Sequence, residues 1–176
     1  MSDARFEDGA DQPLRLIARD AADLQVISAL VQDAVLSAAE MRWLPARRRF
    51  ALLLNRFRWE DRDRAAAAGR PVERVQAMLV IDDVTRVTHQ GLDRRDRDTV
   101  LSLLALDWQP DAPVQGADGD GESAEAAPAG PGRLVLVLAG DGAVALQTEC
   151  LEVALHDVTR PYVAPSGRAP AHPLDP

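Results

Sequence analysis

The same phrases occur twice in this chain, in the same order, and that repetition limits the folds open to it more than any other feature. Residues 33–45 read DAVLSAAEMRWLP and residues 98–110 read DTVLSLLALDWQP; Asp33/Asp98, Val35/Val100, Leu36/Leu101, Ser37/Ser102, Trp43/Trp108 and Pro45/Pro110 coincide at a constant offset of 65. Each is followed by an apolar run that begins with Arg, RFALLL at 49–54 and RLVLVL at 133–138. A third match sets MLVIDDVTR at 78–86 against EVALHDVTR at 152–160. Three matches in one order imply an internal duplication, 14–87 and 84–160, inside a single domain whose copies differ in their connections.

Periodicity assigns strands to these phrases. Val35, Ser37, Ala39, Met41 and Trp43 alternate with Leu36, Ala38, Glu40 and Arg42, and Val100 to Trp108 repeat the alternation. Residues 50–54 and 134–138 are apolar throughout, as strands covered on both faces are. Gly140-Asp141-Gly142 between apolar runs marks a tight hairpin, while the equivalent connection, Glu60 to Pro71, has room for a helical turn ended by Gly69. One helix is expected at 20–32, capped by Asp20, with Leu24, Ile27, Leu30 and Val31 as its apolar stripe. The fold class is therefore α+β, mainly antiparallel β. Two duplicated three-strand meanders, each with a leading strand, form a curved sheet or partly open barrel with one N-terminal helix. Residues 111–132, rich in Gly, Ala, Pro and acids, read as a flexible insert, and the Pro-rich 161–176 as an extended tail.

Charge and composition remove several function classes. All 20 basic residues are Arg, so no Schiff-base or P-loop lysine is available. A lone cysteine, Cys150, excludes a disulfide framework and any Cys-rich metal site, and it has no histidine beside it to activate it. His89, His156 and His172 lie at no metal-ligand spacing, and Asp118, Asp120 and Glu122 lack the Gly and Glu that complete a calcium loop. No cofactor-binding or catalytic phrase occurs, so neither cofactor nor metal is expected. No apolar run reaches the roughly 20 residues of a membrane span, and Met1 to Asp11 is acidic rather than signal-like; the expectation is a soluble cytoplasmic protein without a membrane partner. The net charge of −8 falls entirely in residues 99–176, which argues against nucleic acid as a partner.

Residues 42–59 run against this trend, with six Arg, no acid, and Trp43, Phe50, Phe57 and Trp59. Within them Asn55-Arg56-Phe57-Arg58-Trp59 is the candidate binding strand. Alternation puts Arg56 and Arg58 on one face, about 7 Å apart, where two guanidinium groups could grip a carboxylate or phosphate. The competing reading is internal: the arginines pair with acids on neighbouring strands and Trp59 caps the core edge. His89, just before Gly91 in a connecting segment, is a candidate general base. The twice-occurring Asp-Val-Thr-Arg reads as turn structure, with Asp83 and Asp157 bonding nearby backbone or their own Arg.

DARFEDG (3–9), DLQVISALVQDAV (23–35), RRRFALLLNRFRWE (47–60), ERVQAMLVIDDV (73–84), DTVLSLL (98–104) and DVTRPYVAPSGRAPAHP (157–173) resemble a bacterial family known as domain-of-unknown-function family 2948. The resemblance spans nearly the whole chain. It implies a self-contained protein, an insert at 111–132 longer than the family's usual one, and a tail that docks on the body; it brings no activity, cofactor or catalytic residue. Two functions are then open. One is a non-catalytic binding or assembly module that engages a protein or small anionic ligand through Asn55, Arg56, Arg58 and Trp59. The other is a small enzyme or ligand sensor with a pocket between the repeats, to which Arg56, Arg58 and His89 contribute. A concave cavity favours the second and a flat exposed patch the first.

Overall fold

The computed structural model describes residues 12–93, 95–111 and 129–165. Two short helices, α1 (Ala21–Val31) and α2 (Arg62–Ala67), accompany strands β1 (Arg15–Ala18), β2 (Ala34–Ser37), β3 (Met41–Leu44), β4 (Arg49–Phe57), β5 (Glu73–Ile81), β6 (Val84–Gln90), β7 (Val100–Pro110), β8 (Gly132–Leu138), β9 (Gly142–Thr148), β10 (Val153–Asp157) and β11 (Tyr162–Val163). All of the strand pairs are antiparallel. They form one open 11-stranded sheet in the order β1-β10-β5-β4-β2-β7-β8-β9-β6, with β3 added to β4 and β11 to β5. No helix among the described residues is long and apolar enough to cross a membrane.

Helix α1 starts where Asp20 accepts the Asp23 amide at 2.8 Å, and its buried residues are Leu24, Ile27, Ser28 and Val31. Ser28 is polar on this stripe because its hydroxyl accepts the Leu106 amide at 2.9 Å, where β7 loses its regular register. The core behind the helix is the even-numbered face of β4 (Phe50, Leu52, Leu54), the odd-numbered face of β5 (Ala77, Leu79, Ile81), and alternate residues of β7 to β10. The Gly-rich hairpin joins β8 to β9, with Gly140 and Asp141 both left-handed at φ 77° and 62°. Asp141, not Gly142, takes the second left-handed position. Helix α2 fills the longer β4–β5 connection and ends at left-handed Gly69.

Two expectations are corrected. Residues 35–43 are not one strand: Ala38–Glu40 form a 3-10 turn that separates β2 from β3. Ser37-Ala38-Ala39-Glu40 is a capping box, with the Glu40 carboxylate accepting the Ser37 amide at 2.7 Å. The equivalent of Glu40 is Ala105, so β7 cannot close such a box and continues, with a register shift between Leu103 and Ala105. The second correction concerns the strand count. β5 closes the hairpin after β4 and β9 closes the one after β8, so the second Asp-Val-Thr-Arg phrase falls one strand later, on β10 and beyond. That extra strand inserts between β1 and β5, and the sheet exceeds two three-strand meanders.

The described part of the tail, through residue 165, stays on the body. Val158 donates to Gln76, β11 pairs with Glu73 and Arg74, and Ala164 is buried. Most of the expected insert (112–128) and residues 166–176 lie outside the described residues.

Gly132 opens β8 against the Trp108 ring: a Cβ there would sit 2.6 Å from Trp108 Cζ2 and 2.7 Å from the Gln109 carbonyl oxygen. Gly132→Ala is expected to cost about 1–3 kcal/mol by overpacking, read as a lower urea midpoint with unchanged m-value.

Candidate functional site

Arg56 belongs to the same face of β4 as Phe50, Leu52 and Leu54, and that is the core face. It is 0% exposed. A guanidinium has five N–H donors, and here each one is used. Nε and Nη2 bind the two Asp157 oxygens at 3.0 and 2.9 Å; Nη1 and Nη2 bind the two Glu60 oxygens at 2.9 and 2.8 Å; Nη1 also donates to the Phe57 carbonyl at 3.1 Å. Burial alone would pull the Arg56 pKa down, but the Glu60 and Asp157 hydrogen bonds and charges outweigh it and leave it raised. Burial likewise pushes Glu60 up, and Arg56 overrides it and holds the carboxyl below its ordinary value. Asp157 also accepts the Leu14 amide at 3.0 Å, which fixes the chain entering β1. The arginine therefore has no donor left for a ligand.

The other residues of the candidate strand are also engaged. Arg58 is buried and binds Glu73 at 2.6 Å, with Asp61 at 3.9 Å. Asp61 is held below its ordinary value chiefly by the Arg70 hydrogen bond, at 2.7 Å. Trp59, half-buried, donates Nε1–H to the Gln32 carbonyl at 2.9 Å, lies 5.0 Å from the Phe57 ring and has Arg62 above it. Asn55 Oδ1 accepts the Tyr162 hydroxyl at 2.7 Å, so it serves the docked tail. The reading of Asn55, Arg56, Arg58 and Trp59 as an exposed grip is thus replaced by the internal one: these side chains join β4 to the helical connection, to the end of β10 and to the tail.

The upstream arginines are structural as well. Arg48, left-handed at φ 48°, binds Asp83 at 2.8 Å and Glu149 at 2.6 Å, and Arg49 binds Asp82 at 2.6 Å. The Val84 amide donates to the Arg48 carbonyl, so the turn before β4 is tied to the start of β6. Neither repeated aspartate pairs with the Arg of its own phrase; Asp83 takes Arg48 and Asp157 takes Arg56. The Cys150 thiol donates to Asp83 at 2.9 Å, and this bond, with burial, raises its pKa to about 11, which keeps it protonated and poorly nucleophilic. Among the described residues no three His, Cys, Asp or Glu side chains gather as a metal site.

His89 lies elsewhere. A cavity of about 280 Å³ is lined by Ala38, Met41, Trp43, Phe50, Val87, His89, Leu92, Asp93, Arg97 and Val144. Phe50 on β4 and Val144 on β9 stand four steps apart along the sheet, about 19 Å if it were flat. That both line one cavity shows how strongly the sheet curls. The chamber opens where the 3-10 turn carries β3 away from β7, and β6 faces β3 across it. Phe50 and Arg56 sit about 20 Å apart on β4, so His89 shares no site with Arg56 or Arg58. Trp43, Asp93 and Arg97 join His89 here, and only Trp43 carried a sequence signal, through its place on the apolar face.

Residues 14–172 match the model of a family described as "Protein of unknown function (DUF2948)". No curated protein and no solved structure matches the chain.

Arg56→Ala is expected to destabilise the protein by about 3–5 kcal/mol in urea unfolding, because it strands buried Asp157. Glu60, Asp61 and Asp83 all have lowered pKa values, so their contribution is complete above about pH 4.5 and is lost as pH falls through the folded-state values. The unfolding midpoint should therefore drop steeply below about pH 4, and Glu60→Gln should flatten that acid limb.

Proposed function

The chain belongs to the DUF2948 family, and we propose that it is a non-catalytic module that binds a small molecule in the cavity between two duplicated halves. The observation that carries this reading is the composition of the chamber. Apolar side chains from β3, β4, β6 and β9 line it, and His89, Asp93 and Arg97 stand exposed beside them. Small-molecule sites have this character, a largely apolar wall with a few polar groups that fix orientation.

The duplication is supported by register. Leu36 and Leu101, equivalent at the offset of 65, lie opposite each other where β2 meets β7, and Val35 faces Ser102 as Ser37 faces Val100. The pairing is symmetric about the two leucines, and each copy breaks just beyond it, as the 3-10 turn in one and the register shift in the other. The cavity then draws Met41, Trp43 and Phe50 from the first half and His89, Leu92 and Val144 from the second, with Val87 where the two overlap.

Binding is preferred to catalysis because the described residues lining the chamber include no Ser, Thr or Cys and a single His. The arginine strand lends no support to a binding surface, since its donors are committed internally.

The test is titration of the ¹⁵N-labelled protein with 2-phenylethanol, a neutral aromatic probe of suitable size. The Trp43 indole and His89 amide signals should shift, while Trp59 should not, and Val144→Phe should fill the chamber and weaken binding at least tenfold. Shifts spread over the surface, or none at Trp43 and His89, would sink the reading.

A further inference from the structure

Resting on the cavity reading, we infer that the ligand is a small zwitterion with an apolar side chain, an amino acid of the leucine, methionine or phenylalanine kind. The loop after β6 supplies both signs of charge to the cavity, Asp93 and Arg97, four residues apart. Neither makes an ion pair within 4.0 Å among the described residues; many surface arginines share that, and what sets this pair apart is that both line the cavity. The backbone around the two charges is fixed by hydrogen bonds. Asp93 Oδ1 accepts the Arg95 amide at 2.9 Å, and the Arg97 and Thr99 carbonyls accept the Ala39 and Ala38 amides at 3.0 and 3.1 Å. The loop that bears the charges is thereby pinned to the cavity wall at Ala38.

Charge matching then selects the ligand class. A monocarboxylate would satisfy Arg97 but face Asp93, and an amine would do the reverse; each leaves a charge partly desolvated without a partner. An α-carboxylate beside an α-ammonium answers both. The guanidinium fork suits the carboxylate bidentately, and His89 adds a ring nitrogen next to the same rim. A neutral zwitterion also escapes the net charge of −8, which repels small anions. The apolar side chain has its place against Met41, Trp43, Phe50 and Leu92, and a chamber of about 280 Å³ falls just short of the roughly 300–1,000 Å³ of drug-sized sites.

The experiment compares L-phenylalanine with 3-phenylpropanoate, 2-phenylethylamine, 2-phenylethanol and glycine, by calorimetry and by the Trp43 indole signal. L-phenylalanine should bind at least tenfold tighter than each of the others. Arg97→Gln should erase its advantage over 2-phenylethylamine, and Asp93→Asn its advantage over 3-phenylpropanoate; both positions are exposed, and circular dichroism checks that the variants remain folded. If 2-phenylethanol shifts Trp43 and L-phenylalanine binds no tighter, the zwitterion inference is overturned and the cavity reading stands. If no probe shifts Trp43, both are overturned. Equal losses for every probe in the two variants also overturn the inference, because they would mark a structural effect of the loop.

Discussion

A guanidinium buried at the end of a β-sheet is tolerated only when its donors all find acceptors, and Arg56 meets that condition with two carboxylates and one carbonyl. The consequences reach along the chain. Asp157 ends β10, so the ion cluster fixes where the last long strand lies against β5, two positions from β4. Because Asp157 also holds the Leu14 amide, the same carboxylate places the entry to β1. Glu60 fixes the helical connection that leads to β5. Between Arg56 and Asp157 the core face of β5 presents Val75 and Ala77, the small residues that let a long side chain cross. β10, late in the sequence, is thus inserted beside β1. This sheet cannot be completed until late in the chain, a long-range pairing that slows folding.

The opposite end of β4 is controlled by different contacts, and there the sheet opens instead of closing. The Ser37–Glu40 box turns the chain out of the β2 row, so β3 follows β4 while β7 does not. Arg48 then ties this corner to Asp83 and Glu149, and its carbonyl receives the Val84 amide at the head of β6. The sheet is drawn into a curl, yet β3 and β6 make no ladder. What remains between them is the chamber. It lies where the chain turns out at Ala38–Glu40, while β7 continues past Ala105.

Local features were legible from sequence because local chemistry determines them. The Asp20 cap, the left-handed turn at Gly140-Asp141 and the Gly69 stop all act within a few residues of themselves. The break at Ala38–Glu40 was equally legible, since S-x-x-E is a capping signature, but the period-2 alternation across it concealed it. Arg56 was a matter of parity. It shares the even positions with Phe50, Leu52 and Leu54, and a strand read as apolar on both faces hides which of its faces is the core. Beyond Trp43 and His89, the cavity had no local signal. Its lining comes from β3, β4, β6, β9 and a loop, and no pattern within one segment records that the sheet curls until Phe50 and Val144 line one cavity.

The chain uses arginine as its only basic residue, which makes residue type useless for separating structural cations from functional ones. Donor occupancy identifies the structural ones. At Arg56 a lysine has three donors for four carboxylate oxygens and a carbonyl, so the planar fork is a structural requirement of the fold. Arg48, Arg49 and Arg58 are likewise held by acids on other elements. Arg97 has the same chemistry and the opposite circumstance: its backbone is pinned, its guanidinium has no ion-pair partner among the described residues, and it stands at the edge of an apolar chamber. A cation whose donors are filled by the fold has already performed its function when folding ends. Arg97 is different in that it lines a cavity, and with the donors of the arginine strand already filled, the candidate site moves to the chamber beside His89.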